Sequence, residues 1–190
     1  MRRGPGPLRV YYESLEGNPS LLRLPQLLGP DAGKSEATLA AEGNRGASYQ
    51  WGLLNVTRMA SGRLRAVMDL PMQRYLYGLA EMPSSWHPEA LRAQAIAGRT
   101  YATRKAEAGI QAVCGCHLGA TPADQVYAGW AKEGEPTFGA AWVAAVNATS
   151  GVAVTSGANL AQTYYSSSHG GRTENSQDSW AFSALSLIHI

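Results

Sequence analysis

Tyr75-Leu-Tyr-Gly-Leu-Ala-Glu81-Met-Pro-Ser-Ser-Trp86-His-Pro-Glu-Ala-Leu-Arg-Ala-Gln94-Ala-Ile-Ala-Gly98-Arg99-Thr-Tyr101 reads as a short helix, a tight polar turn and a long helix. The long helix has clear start signals. Ser84 or Ser85 can cap it, Pro88 suits its first turn, and Glu89 favours the positive end of the dipole. It is predicted to run from about Pro88 to Ala108, with Gly109 as the stop. Leu91, Ala95, Gly98 and Ala102 follow 4-3-4 spacing on one face. Most of these side chains are small, so a neighbour packs close to the backbone. A glycine inside a helix costs roughly 1 kcal/mol against alanine, and a close neighbour at Gly98 explains its presence. Arg92, Arg99, Arg104 and Lys105 point elsewhere. Arg99 either reaches toward the Glu81 turn or is solvated.

Glu81 sits before the turn, beside Leu79, Met82 and Trp86. Such neighbours desolvate a carboxyl and raise its pKa, which makes it a usable general acid near neutral pH. The plainer reading is a capping or salt-bridging glutamate.

Outward from this stretch, 190 residues make one domain or most of one, long enough for a real core. With 45% hydrophobic and 16% charged residues the chain is not disordered. No apolar run approaches the ~20 residues that cross a membrane. A net charge of +2 with scattered basic residues gives no nucleic-acid footprint. Five Trp and nine Tyr against two Phe suit sugar or peptide ligands in a wet groove, although half-buried core explains most of them. Met1-Arg2-Arg3 is followed by Gly-Pro-Gly-Pro rather than an apolar signal core. The chain is therefore either cytoplasmic or lacks its native N-terminus.

Residues 1–49 hold a strand at Leu8–Tyr12 and then irregular linker, with Asp31–Ala47 showing neither period. Leu53–Met59 and Leu64–Leu70 are strands joined by a turn at Ala60–Arg63, and Pro71 opens the short helix Met72–Gly78. Gln111–Trp130 reads as loop. Thr137–Ser150 reads as a second helix capped by Thr137, with Trp142 and Val146 on one face. Val152–Thr155 and Leu160–Tyr165 read as strands around Ser156–Asn159. A polar loop, Ser166 to Glu174, follows, and its adjacent Gly170 and Gly171 allow close approach of a ligand.

Cys114-Gly-Cys116-His117 carries two thiols and an imidazole. The three can ligate a structural zinc, with Asp124 or water as the fourth ligand, although the spacing is not a standard ribbon. Free thiols and a small-ring disulfide stay open. Ser166–Ser168 with His169 and Glu174 invite a serine hydrolase, but no Gly-x-Ser-x-Gly elbow is present.

Tyr75–Ala102 resembles the signature of the SpoIID/LytB domain family, the stage II sporulation protein D and amidase-enhancer proteins. Three pieces fit in the same order: Asp124-Gln-Val-Tyr127, Ala145-Val-Asn-Ala-Thr-Ser-Gly151, and the loop Tyr164 to Glu174. The resemblance covers roughly residues 50–183. It implies an α+β domain, with mostly antiparallel strands packed around a long central helix that forms a groove for glycan strands. It implies a peptidoglycan lytic transglycosylase that needs no cofactor, with Glu81 as acid/base. Gln94, Arg99, Tyr165, Ser167, Ser168 and His169 are its candidate sugar contacts. Family zinc ligands would correspond to Cys114, Cys116 and His117, although Asp124 stands where the family often has a cysteine. The alternative is a non-catalytic wall-binding module that enhances or recruits an amidase. Both imply an extracytoplasmic, cell-wall location for the full-length parent. The family's closing Gly-His-Gly-Val-Gly-Met-Ser-Gln segment has no counterpart, so residues 50–184 are expected to be a C-terminally truncated domain, with 185–190 foreign to it.

Overall fold

The computed structural model describes residues 8–15, 37–41, 44–60 and 64–165. In chain order the elements are β1 (Leu8–Leu15), β2 (Ala37–Ala41), β3 (Asn44–Tyr49), β4 (Leu53–Arg58), β5 (Leu64–Leu70), α1 (Met72–Tyr77), α2 (Pro88–Ala108), β6 (Leu118–Gly119), α3 (Trp130–Glu133), α4 (Gly139–Ala148), β7 (Thr155–Ser156) and β8 (Asn159–Leu160). The architecture is α+β, as the sequence implies.

The main sheet has the order β4-β5-β1-β6. β5 pairs antiparallel with both β4 and β1, and β6 adds to β1 in parallel. Strand alternation divides β5 between two environments. Ala66, Met68 and Leu70 join Leu8 and Val10 in the main core with the helices. Val67 belongs to a second small cluster with Cys114 and Cys116.

On the main core side, α2 packs against α1 and α4. Leu91, Ala95 and Ala102 are buried there. A Cβ at Gly98 would lie 2.5 Å from Leu79 Cδ2, so the close neighbour expected at that glycine is Leu79. Trp142 of α4 is fully buried, and its Nε1–H donates to Leu76 O at 2.9 Å and Tyr77 O at 3.1 Å. It thus adds a donor to two carbonyls at the end of α1, of which Leu76 O also takes the Leu79 N–H at 3.2 Å.

Several expectations need correction. Asp31–Ala47 is not all linker, because β2 and β3 pair antiparallel within and beyond it. The α2 cap is His87 rather than Ser84 or Ser85. Preceding Pro88, His87 is held extended (ψ 139°), and its side chain accepts from the Glu89 N–H. Phe138, not Thr137, precedes α4, with no side-chain cap bond. Gln111–Trp130 contains β6 and the first residue of α3. The last hairpin is shorter than expected. Its strands are Thr155–Ser156 and Asn159–Leu160, around Gly157 at φ +61°, with one further bond from Ala161 N–H to Val154 O at 2.9 Å.

Candidate active site

α1 ends at Gly78, which packs against Tyr127 and Gly129. A Cβ there would meet the Tyr127 ring at 2.4 Å. The chain leaving α1 then lies beside 126–128. Ala128 N–H donates to Gly78 O, and Ala80 N–H donates to Val126 O, both at 2.8 Å. Leu79 and Tyr127 form an antiparallel bridge between them. This short splice brings the Val126 N–H to Glu81 Oε1 at 2.6 Å.

A second donor reaches Glu81 through a buried chain of hydrogen bonds. Tyr75 is fully buried and stacks on Tyr127 at 5.2 Å. Its hydroxyl donates to Gln125 Oε1 at 2.9 Å. Gln125 is fully buried too, and its Nε2 donates to the Tyr165 hydroxyl oxygen at 2.8 Å. Tyr165 in turn donates to the Glu81 carboxyl. Each donor fixes the direction of the next, so the series points its last proton at Glu81.

Burial pushes the Glu81 carboxyl above the ordinary carboxylate range, while the Val126 N–H and the Tyr165 hydroxyl pull it part of the way back. Burial and the field of Glu81 hold Tyr165 far above the usual phenol range, so it stays a protonated donor. The residue after Glu81 is fastened as well. The buried Lys132 ammonium donates to Met82 O and lies 5.5 Å from the Trp142 ring centroid.

Asp124 has a contrasting environment. Burial pushes its carboxyl up, but the Gly119 N–H, the Lys105 ammonium and the Tyr101 hydroxyl outweigh burial and hold it below the ordinary value. Lys105 Nζ is 2.6 Å from Oδ1, the Tyr101 hydroxyl donates to Oδ1 at 2.8 Å, and Gly119 N–H donates to Oδ2 at 2.8 Å. Asp124 is therefore engaged in holding its loop. Among these two acids, Glu81 is the one poised to carry a proton.

Of the sequence-predicted residues, Glu81 and Tyr165 come together. Gln94 is buried on α2, one turn before Gly98, which abuts Leu79 and Gln125. Arg99 does not join them, and its assignment as a sugar contact is corrected. It turns the other way and donates to Val146 O at 3.2 Å, Val152 O at 3.0 Å and Thr149 Oγ1 at 3.4 Å. A buried guanidinium with several donors suits the open carbonyls at the end of α4. Ser167, Ser168 and His169 lie outside the described residues.

The zinc expectation is also corrected. Cys114 and Cys116 form a disulfide, so neither sulfur is a thiolate ligand. His117 Nδ1 accepts the Arg9 N–H at 2.9 Å, and the His117 N–H donates to Arg9 O at 2.9 Å, fastening the loop to β1. No group of three His, Cys, Asp or Glu among the described residues could hold a metal ion. Unreduced, denatured protein is expected to show no titratable thiol, and two after reduction. Free thiol before reduction would contradict the disulfide.

Sequence reasoning gave no role to Gln125, Tyr75, Tyr101 or Lys132. The Asp124–Tyr127 segment was a recognisable motif, and it was the signal that could have found Gln125 and the Val126 N–H.

Comparison with known proteins places a family model, described as Stage II sporulation protein (SpoIID), on residues 60–156, half of the chain. Glu81, Gln94 and Gln125 fall inside this segment, and Tyr165 falls beyond it. The chain is also 37% identical over 108 residues to a protein named Amidase enhancer from Bacillus subtilis (strain 168). That alignment covers 57% of this chain and 13% of the relative.

Proposed function

The chain belongs to the SpoIID family, and from that premise we propose that its Glu81 site works on the bacterial cell wall as a peptidoglycan lytic transglycosylase. The substrate is a glycan strand, cut between N-acetylmuramic acid and N-acetylglucosamine to leave a 1,6-anhydro end. Protonated Glu81 gives its proton to the leaving glycosidic oxygen. As a carboxylate it then takes the proton of the muramyl 6-hydroxyl as that oxygen attacks C1. Hydrolytic glycosidases usually need two placed carboxyls, whereas this route needs one. The observation that carries the reading is the half-buried Glu81 carboxyl, with its raised proton affinity, at the end of the Tyr75–Gln125–Tyr165 series.

The test is to incubate the protein with peptide-free glycan strands and look for anhydro ends by mass spectrometry. The relative's name, Amidase enhancer, favours a second reading. There the same groove binds wall glycan without cutting it and recruits a cell-wall amidase. Strands that bind but are never cut would select that reading. Both readings call for an extracytoplasmic site of action. The Cys114–Cys116 disulfide supports this, since such bonds persist in oxidising compartments. No helix among the described residues is long and apolar enough to cross a membrane.

Tyr165→Phe tests the wiring of the acid. The first step needs Glu81 protonated, so activity is present below its folded pKa and is lost as pH rises through it. The Tyr165 hydroxyl favours the carboxylate. Its removal is expected to raise the Glu81 pKa further and move the alkaline limb of the pH–rate profile to higher pH. A limb that stays in place, or moves down, would separate Tyr165 from Glu81.

A further inference from the structure

Gln94 is a buried polar side chain, 4% exposed, and its Nε2 has no hydrogen-bond partner among the described residues. A buried amide N–H without an acceptor is costly, and native folds keep few of them.

Its direction follows from the helix. At 3.6 residues per turn, Gln94 lies within about 20° of Tyr101 and about 40° of Gly98 around the α2 axis. Gly98 abuts Leu79 and Gln125. Tyr101 binds Asp124 and feels the charge of Glu81. This stripe of α2 therefore lies against the Glu81 turn and the segment that fixes it. Cβ vectors tilt toward a helix N-terminus, so Gln94 leans toward the turn that follows Glu81. That turn carries a second unpaired group. Ser84 is 2% exposed, and its Oγ has no hydrogen-bond partner among the described residues.

We propose that Gln94 is a specificity residue whose amide N–H binds the carbonyl oxygen of an N-acetyl group on the sugar over Glu81, so that the site prefers N-acetylated to N-deacetylated strands. The inference rests on the reading of Glu81 as a glycan site and names what that site selects. A buried donor calls for an acceptor that the ligand brings with it. The acetamido carbonyl is a strong neutral acceptor of the kind a buried amide N–H calls for. The ammonium of a deacetylated sugar donates only and leaves the Gln94 N–H unanswered. Sites built around a buried polar group discriminate strongly against ligands that lack its partner.

The test uses Gln94→Met, which keeps size and removes the amide. Thermal unfolding compares it with wild type. Calorimetry measures acetylated and N-deacetylated glycan strands binding to Glu81→Gln and to the Glu81→Gln/Gln94→Met double variant. The charge difference between the two strands cancels in the ratio of preferences. Gln94→Met is expected to melt at or above wild type, because it removes an unpaired amide. Preference for acetylated strands is expected to fall at least about tenfold. A melting temperature several degrees lower would mean that the amide has a partner within the fold, and would overturn the proposal. An unchanged preference would overturn it while leaving the glycan site standing. If acetylated strands bind neither protein, the reading of the site fails, and the role of Gln94 fails with it.

Discussion

Glu81→Gln is expected to cut the release of anhydro-ended strands by about 10²–10⁴-fold, the usual contribution of a positioned acid or base, while the protein becomes no less stable. The two halves of this result have one cause. The pocket holds the Glu81 proton more tightly than water does, mainly through burial. Below the ordinary carboxyl pKa of 4.5 the group is protonated in the folded and unfolded chains alike, and it costs nothing. As pH rises through the folded pKa, the unfolded chain has already released its proton and the folded chain must release one against burial. Stability present at low pH is therefore lost toward neutrality. Glutamine carries no charge, and its amide oxygen can still accept the Val126 N–H. The variant's melting temperature should equal or exceed wild type at pH 7, and the gap should close as pH falls below about 4.5. Assays on peptide-free strands with paired melting curves check both halves. Cleavage that survives in the variant would remove Glu81 as the acid. Lost cleavage together with a much lower melting temperature would mean that Glu81 is a structural group.

The helix that presents this site was legible because its signals are local. Pro88 near the start and Gly109 at the stop set the bounds, and Gly109 does adopt a positive φ of +92°. The hairpin of β4 and β5 was equally plain from alternation. Groups that depend on distant partners were not. Nothing near Arg99 in the sequence says that the end of α4 lies opposite, about fifty residues later. The Ala- and Gly-rich run of β2 and β3 has no alternation, and its backbone pairing decides its state. The choice among zinc, thiols and disulfide turned on tertiary context. The turn from Gln111 to Cys116 packs the sulfurs against Val67 of the sheet, with the His117 ring nitrogen turned to β1. At the site itself, Glu81 stood out by its motif, yet the donor series behind it joins residues 50 and 40 positions apart. No spacing rule reveals such a series.

Trp142→Ala is expected to be the most destabilising single change in the described core. A fully buried tryptophan truncated to alanine costs about 3–5 kcal/mol, a large share of the roughly 5–15 kcal/mol that holds a domain folded. Two effects add here. The indole fills the space where α1 and α4 meet, and its N–H serves the Leu76 and Tyr77 carbonyls at the end of α1. Trp142→Phe separates them, because it keeps most of the apolar body and leaves those carbonyls without this donor. Its cost should be about 1–3 kcal/mol, set by the lost hydrogen bonds and a smaller cavity. Urea midpoints for the two variants give the split, and near-equal values would mean that the N–H outweighs the packing. The consequence extends to catalysis. α1 runs directly into Gly78 and the splice that aims Glu81, and the Lys132 ammonium that holds Met82 rests near the same indole ring. Trp142→Phe, assayed well below its melting temperature, should therefore lower kcat more than it raises KM, since a displaced acid weakens the chemical step before it weakens the hold on the strand. A variant that loses stability but keeps the wild-type kcat would show that the Glu81 turn is positioned by 126–128 alone.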